Sequence, residues 1–182
     1  LDYRTYTSDI YVNLSEFKAT GISNSIVGIH NVFGGLGDDH IIGDNGDNIL
    51  GSNGGNDILE GRYGNNIYMI FEGFGTVRII ETLLGEDTLD FSNVTSDLNW
   101  NLKEKTVNSL AQDGETVVGT VIYGALDGEK QTQGDRIKTL IGGQGKTRFV
   151  FTDGYRLPSG TRIDGGVGTG ILDFSNYGQV SD

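Results

Sequence analysis

A nine-residue period runs through the first half of this 182-residue chain and leaves few folds open to it. Gly37, Gly46, Gly55 and Gly64 fall at that spacing. Two places after each glycine stand Asp39, Asn48, Asp57 and Asn66, and two places further come Ile41, Leu50, Leu59 and Tyr68. Registers that stay in step in this way call for one tight turn and one short strand per unit. Glycine supplies the positive φ that a tight turn needs, and the apolar residue points inward from the strand. So short a strand buries nothing alone, and successive units must stack as a solenoid.

A longer recurrence lies over this one. Leu1-Asp2-Tyr3-Arg4-Thr5 returns as Leu89-Asp90-Phe91-Ser92-Asn93 and again as Leu172-Asp173-Phe174-Ser175-Asn176. The segment before the glycine block, Ile29-His30-Asn31-Val32-Phe33-Gly34-Gly35, has a counterpart in Ile137-Lys138-Thr139-Leu140-Ile141-Gly142-Gly143. These matches divide the chain into a first unit, 1–88, which contains the nonapeptide block 34–69, and a degenerate second unit, 89–171. Residues 172–182 begin a third. A chain that opens at Leu1, has its one methionine at Met69 and stops inside a motif is expected to be a slice of a longer array.

Outside the block the pattern is also β. Residues 10–14 and 98–102 alternate apolar and polar, the mark of half-buried strands, and the β-branched run 116–123 suits another. Stretches 107–115 and 124–135 are polar and glycine-bearing, and are expected as loops. The one hint of helix is a turn near Lys103. The fold class expected is all-β.

Composition narrows the function. The 30 glycines follow no Gly-X-Y period, which excludes collagen. No apolar run approaches the roughly 18 residues of a membrane span. A net charge of −12 makes nucleic acid a poor partner, because a polyanion needs a basic face. The absence of cysteine removes disulfides, thiolate metal sites and cysteine nucleophiles together. The acid is also localised. Residues 34–60 hold Asp38, Asp39, Asp44, Asp47, Asp57 and Glu60 with no Lys or Arg, whereas basic residues gather in 103–162. No Gly-x-Ser-x-Gly or His-Glu-x-x-His motif occurs, and His40 sits at a variable strand place of the repeat. No enzyme activity is expected.

The block Gly34-Gly35-Leu36-Gly37-Asp38-Asp39-His40-Ile41-Ile42 fits Gly-Gly-x-Gly-x-Asp-x-apolar-x at every fixed place. It resembles the calcium-binding nonapeptide repeats of RTX (hemolysin-type) proteins, and the agreement covers residues 34–69. The longer units, with their Leu-Asp-Phe-Ser segments, look like modules of giant secreted and surface proteins of bacteria. The resemblance implies a parallel β-roll in which two nonapeptides make one coil and calcium sits between turns on the same edge. Carried over, Asp39 and Asp57 belong to one edge with carbonyls near Gly35, Gly37 and Gly55. Asn48 and Asn66 belong to the other edge with Gly46 and Gly64. Calcium takes six to eight oxygens, and close-packed turns offer carboxylates and carbonyls together. Asp and Asn also serve turns without any ion, and the uncharged Asn pair makes the weaker ligand set.

Elsewhere the repeat departs from the pattern. Thr147 stands where the carboxylate belongs in the second copy, with Lys146 beside it, and Gly170 stands there in the next repeat. Little calcium is expected in 137–171, although the coil itself can continue. Asp87 keeps the spacing and is a candidate lone site, with Glu81 as its partner. The function this implies is a calcium-stiffened structural or adhesive module of a large exported protein, at the cell surface or in the matrix, released by bacterial type I export. Its partners would be calcium ions, neighbouring units or copies of itself, and surface polysaccharide. The alternative is an accessory module of a secreted protease, lipase or alginate epimerase.

Overall fold

The computed structural model describes residues 1–80, 84–123 and 136–177, and these are almost wholly β. In chain order the strands are β1 (Tyr11–Asn13), β2 (Lys18–Ala19), β3 (Asn31–Phe33), β4 (His40–Ile42), β5 (Ile49–Ser52), β6 (Asn56–Glu60), β7 (Ile67–Phe71) and β8 (Thr76–Ile80). They continue as β9 (Asp87–Asn93), β10 (Asp97–Asn101), β11 (Thr106–Leu110), β12 (Val117–Tyr123), β13 (Ile137–Ile141), β14 (Thr147–Thr152), β15 (Arg162–Asp164) and β16 (Gly170–Asn176).

They form two sheets. The six-stranded sheet has the order β15-β13-β9-β7-β5-β3, and the ten-stranded sheet has the order β16-β14-β10-β11-β12-β8-β6-β4-β1-β2. Through the nonapeptide block the chain visits them alternately, so each strand pairs in parallel with the strand two ahead. Val32, Leu50 and Tyr68 stand in register in one sheet, and Ile41 and Leu59 in the other. All five are fully buried in a single core between the sheets. The nine-residue spacing therefore sets both the pairing partner and the inward face, because a slip of one residue would turn every side chain outward.

Alternation breaks after the block. After β9 the chain enters the ten-stranded sheet with β10, folds back twice through the antiparallel strands β11 and β12, and only then returns to β13. The widened interior there is filled by rings. Trp100 lies 5.1 Å from Phe91, 5.2 Å from Phe149 and 6.3 Å from Tyr123, and Phe91 lies 5.7 Å from Phe74. The strand β11 takes residues 107–110 of the loop expected over 107–115, and 111–115 form the turn after it. Val107 is paired opposite Trp100 and fully buried, so burial overrides a polar local sequence. Residues near Lys103 form a turn, and the helical turn lies instead at Leu14–Glu16, capped by the Asn13 side chain. The expected loop 124–135 lies outside the described residues.

The two ends differ. At the start, the segment after β1 folds over the sheets, with β2 antiparallel to β1 and Leu14, Ala19 and Ile26 buried beneath it. At the other end, Leu172 is 57% and Phe174 51% exposed, whereas Leu89 and Phe91, at the same places of the recurring motif, are fully covered. The recurrence also changes sheet, since β9 lies in the six-stranded sheet and β16 in the ten-stranded one.

Candidate functional site

The predicted ligand residues lie where each turn hands over to a strand. Asp39 precedes β4 and Asp57 lies near the start of β6, neighbouring strands inside the ten-stranded sheet. Asn48, Asn66 and Asp87 lead into β5, β7 and β9 of the six-stranded sheet. All five are buried, none exposing more than 3% of its surface. Asp39 lies beside Asp57 and Asn48 beside Asn66 at the starts of parallel neighbouring strands, and Asp87, expected as a lone site, lies next to Asn66. Glu81, the expected partner of Asp87, lies outside the described residues.

Within each group the side chains are tied to the next repeat but one. The Asp39 amide donates to Asp57 Oδ1 at 2.9 Å, the Asn48 amide to Asn66 Oδ1 at 3.0 Å, and the Asn66 amide to Asp87 Oδ1 at 2.7 Å. Asp39 in turn accepts from the amides of Ile10 at 3.0 Å and Gly35 at 2.6 Å, and Asp57 accepts from the Ser52 hydroxyl at 2.5 Å. One residue earlier in each repeat runs a second row with the opposite sense. Here the earlier side chain accepts from the later amide. Asp9 accepts from Asp38, Asp38 from Asn56, Asp47 from Asn65 and Asn65 from Glu86, at 2.8–2.9 Å. Alternate repeats, adjacent in each sheet, are therefore clipped by reciprocal pairs of side chain to backbone bonds. Sequence reasoning missed the outer row, although Asp38, Asp47, Asn56 and Asn65 keep the same nine-residue spacing.

The glycine corners lie close against their neighbours. A Cβ at Gly35 would meet the Tyr6 carbonyl oxygen at 2.6 Å, one at Gly37 the Asp9 amide nitrogen at 2.5 Å, and one at Gly64 the Gly46 carbonyl oxygen at 2.5 Å. At Gly55 it would run into the Gly37 carbonyl. Gly46 has more room, its nearest neighbour being Asp44 Oδ1 at 3.4 Å.

Burial dominates the electrostatics. It pushes the Asp57 carboxyl up to about 7, with Asp39 and Asp38 adding to the shift against the bonds from Ser52 and Asp39. Burial likewise raises Asp39, and raises Asp87 to about 6 with Asp47 adding and Arg136 opposing. Among the described residues neither Asp39 nor Asp57 forms an ion pair. Stacked carboxylates removed from water without a cation are the situation a divalent ion relieves. A carboxylate offers about four acceptor directions, and Asp39 and Asp57 each spend two on the bonds above. Their donor set therefore fits a hard, oxygen-seeking ion. No group of three or more metal-binding side chains is assembled among the described residues, so backbone carbonyls would have to complete any such shell.

In the second copy Thr147 takes the place of the carboxylate. Its hydroxyl accepts from the Gly143 amide at 3.1 Å, as Asp39 accepts from Gly35, and parallel pairing continues from β13 to β16. Here the turn is held by a neutral group.

No protein-family model matches the chain, and no curated protein shows significant similarity to it.

Proposed function

We propose that this chain is a calcium-binding β-roll module of the RTX type, serving as a structural or adhesive segment of a large exported protein. The observation that carries the proposal is the pairing of Asp39 with Asp57. Two buried carboxylates of alternate repeats are joined through one backbone bond, and among the described residues neither forms an ion pair with a basic side chain. Asp39 and Asp57 would hold the ion at the first edge with carbonyls of the glycine corners. Asn48, Asn66 and Asp87 would form a weaker set at the second, where one carboxylate serves three side chains. When bound, calcium would supply the positive charge that these buried oxygens lack. The chain's own part is to present the oxygens in register and keep water from them. A glycine-rich acidic chain loses much entropy on ordering, and ion binding adds to its folding free energy. Such a module suits the calcium-rich space outside the cell.

The test is circular dichroism and thermal melting in calcium and in chelator. Calcium should raise the melting temperature by several degrees at least, and Asp39→Asn with Asp57→Asn should remove most of that gain. Coincident melting curves would sink the proposal. Thr147→Val should leave the calcium response unchanged, because no carboxylate stands there.

A further inference from the structure

The segment that covers the start of the ten-stranded sheet holds two half-exposed aromatic rings in fixed positions. Phe17 follows the helical turn with φ 59° and ψ 36°, in the left-handed region that a bulky residue rarely occupies. Its ring gains no burial in return, being 51% exposed. The backbone on either side is pinned, since the Phe17 amide donates to the Leu14 carbonyl at 3.2 Å and the Ile26 amide donates to the Phe17 carbonyl at 3.0 Å. This cap on the helical turn holds the half-exposed ring in a fixed place.

Beside it Tyr11 is 42% exposed and equally well held. Its ring meets His40 edge-on at 5.6 Å, and its hydroxyl accepts from the Asn13 amide group at 3.2 Å. The two rings line one groove of about 510 Å³, together with Glu16, Lys18, Asn24 and Ser25. The groove is broad and open, suited to a ligand that lies along the surface. Lys18 and Glu16 pair at 2.8 Å, so the groove carries no net charge from them. Fixed rings interleaved with hydroxyl, amide and ionic groups match a ligand with both C–H faces and many hydroxyls. An added peptide strand is disfavoured, because Ile22 already bridges to Ala19 on the outer side of β2. An anionic polymer is disfavoured by the chain's net charge of −12.

We propose that this groove binds a neutral saccharide, with sugar faces resting on Phe17 and Tyr11 and hydroxyls taken by Lys18, Glu16, Asn24 and Ser25. The site does not depend on calcium binding at the glycine turns. It is tested on the intact chain by amide NMR and calorimetric titration with cellohexaose, laminarihexaose and xylohexaose, and with oligogalacturonate as the anionic contrast. At least one neutral probe should shift resonances within 11–25 and saturate. Phe17→Gly removes the ring and relieves the backbone. It should melt no lower than the parent while weakening that binding by about tenfold. Phe17→Asn, which also accepts the left-handed region, serves as a second variant. No saturable binding by any neutral probe would overturn the proposal. So would undiminished binding by Phe17→Gly and Phe17→Asn, or tighter binding of the oligogalacturonate.

Discussion

At the scale of single residues, Asp57 sets the pH response. Its pKa in the fold, about 7, lies above the ordinary carboxylate value near 4, so between these limits the folded chain holds a proton that the unfolded chain has lost. Metal-free stability should therefore fall as pH rises from 4 to 7, by an amount on the order of a few kcal/mol, and stay low above that. Asp87, at about 6, adds a smaller loss of the same sign. Chelator-treated protein should melt higher at pH 5 than at pH 8, and Asp57→Asn should flatten most of that slope. Calcium addition at pH 6 should release protons, measurable by calorimetry in buffers of different ionisation enthalpy. Glycines separate along similar lines. Gly55 and Gly73 share a φ of +78°, yet a Cβ strikes a carbonyl only at Gly55. Gly73→Ala should cost about 1 kcal/mol, and Gly55→Ala clearly more, in urea unfolding. The positions of Asp39, Asp57, Asn48 and Asn66 were legible because period and burial coincide there. Their amide partners were not, since hydrogen bonds between repeats leave no mark on spacing beyond the repeat itself.

At the scale of elements, the block strands were readable because each carries one inward apolar residue at a fixed offset from its turn. The hairpin β11–β12 was not. Thr106–Leu110 holds Asn108 and Ser109 among its five residues, and only Val107 meets the core strongly, against Trp100. Trp100 organises this part, touching rings from three other strands, and Trp100→Ala should cost roughly 3–5 kcal/mol. Trp100→Phe should recover most of it. A second strut joins the turns after β7 and β9. Burial works against the Glu72 charge, but bonds from the amides and hydroxyls of Thr95 and Ser96 outweigh it and hold the carboxyl below its usual range. This strut acts with the sign opposite to Asp57. Its contribution is present at neutral pH and lost as pH falls through the lowered folded value, so Glu72→Gln should matter at pH 7 and hardly at pH 3 in melting experiments.

At the scale of the whole molecule, the sheets keep different counts over the same stretch of chain. From β7 through β9 to β13 the six-stranded sheet advances two strand spacings, while β8, β12, β11, β10 and β14 take four on the other side. Strands sit about 4.8 Å apart and facing sheets about 10 Å apart, so one flank outruns the other by a length similar to the thickness of the molecule. A stack that keeps both sheets paired through this stretch would curve away from the longer flank, with the aromatic cluster filling the wedge. Anything built by joining such segments end to end would turn by a set amount at each hairpin, so its curvature would be dictated by how often those two extra strands recur.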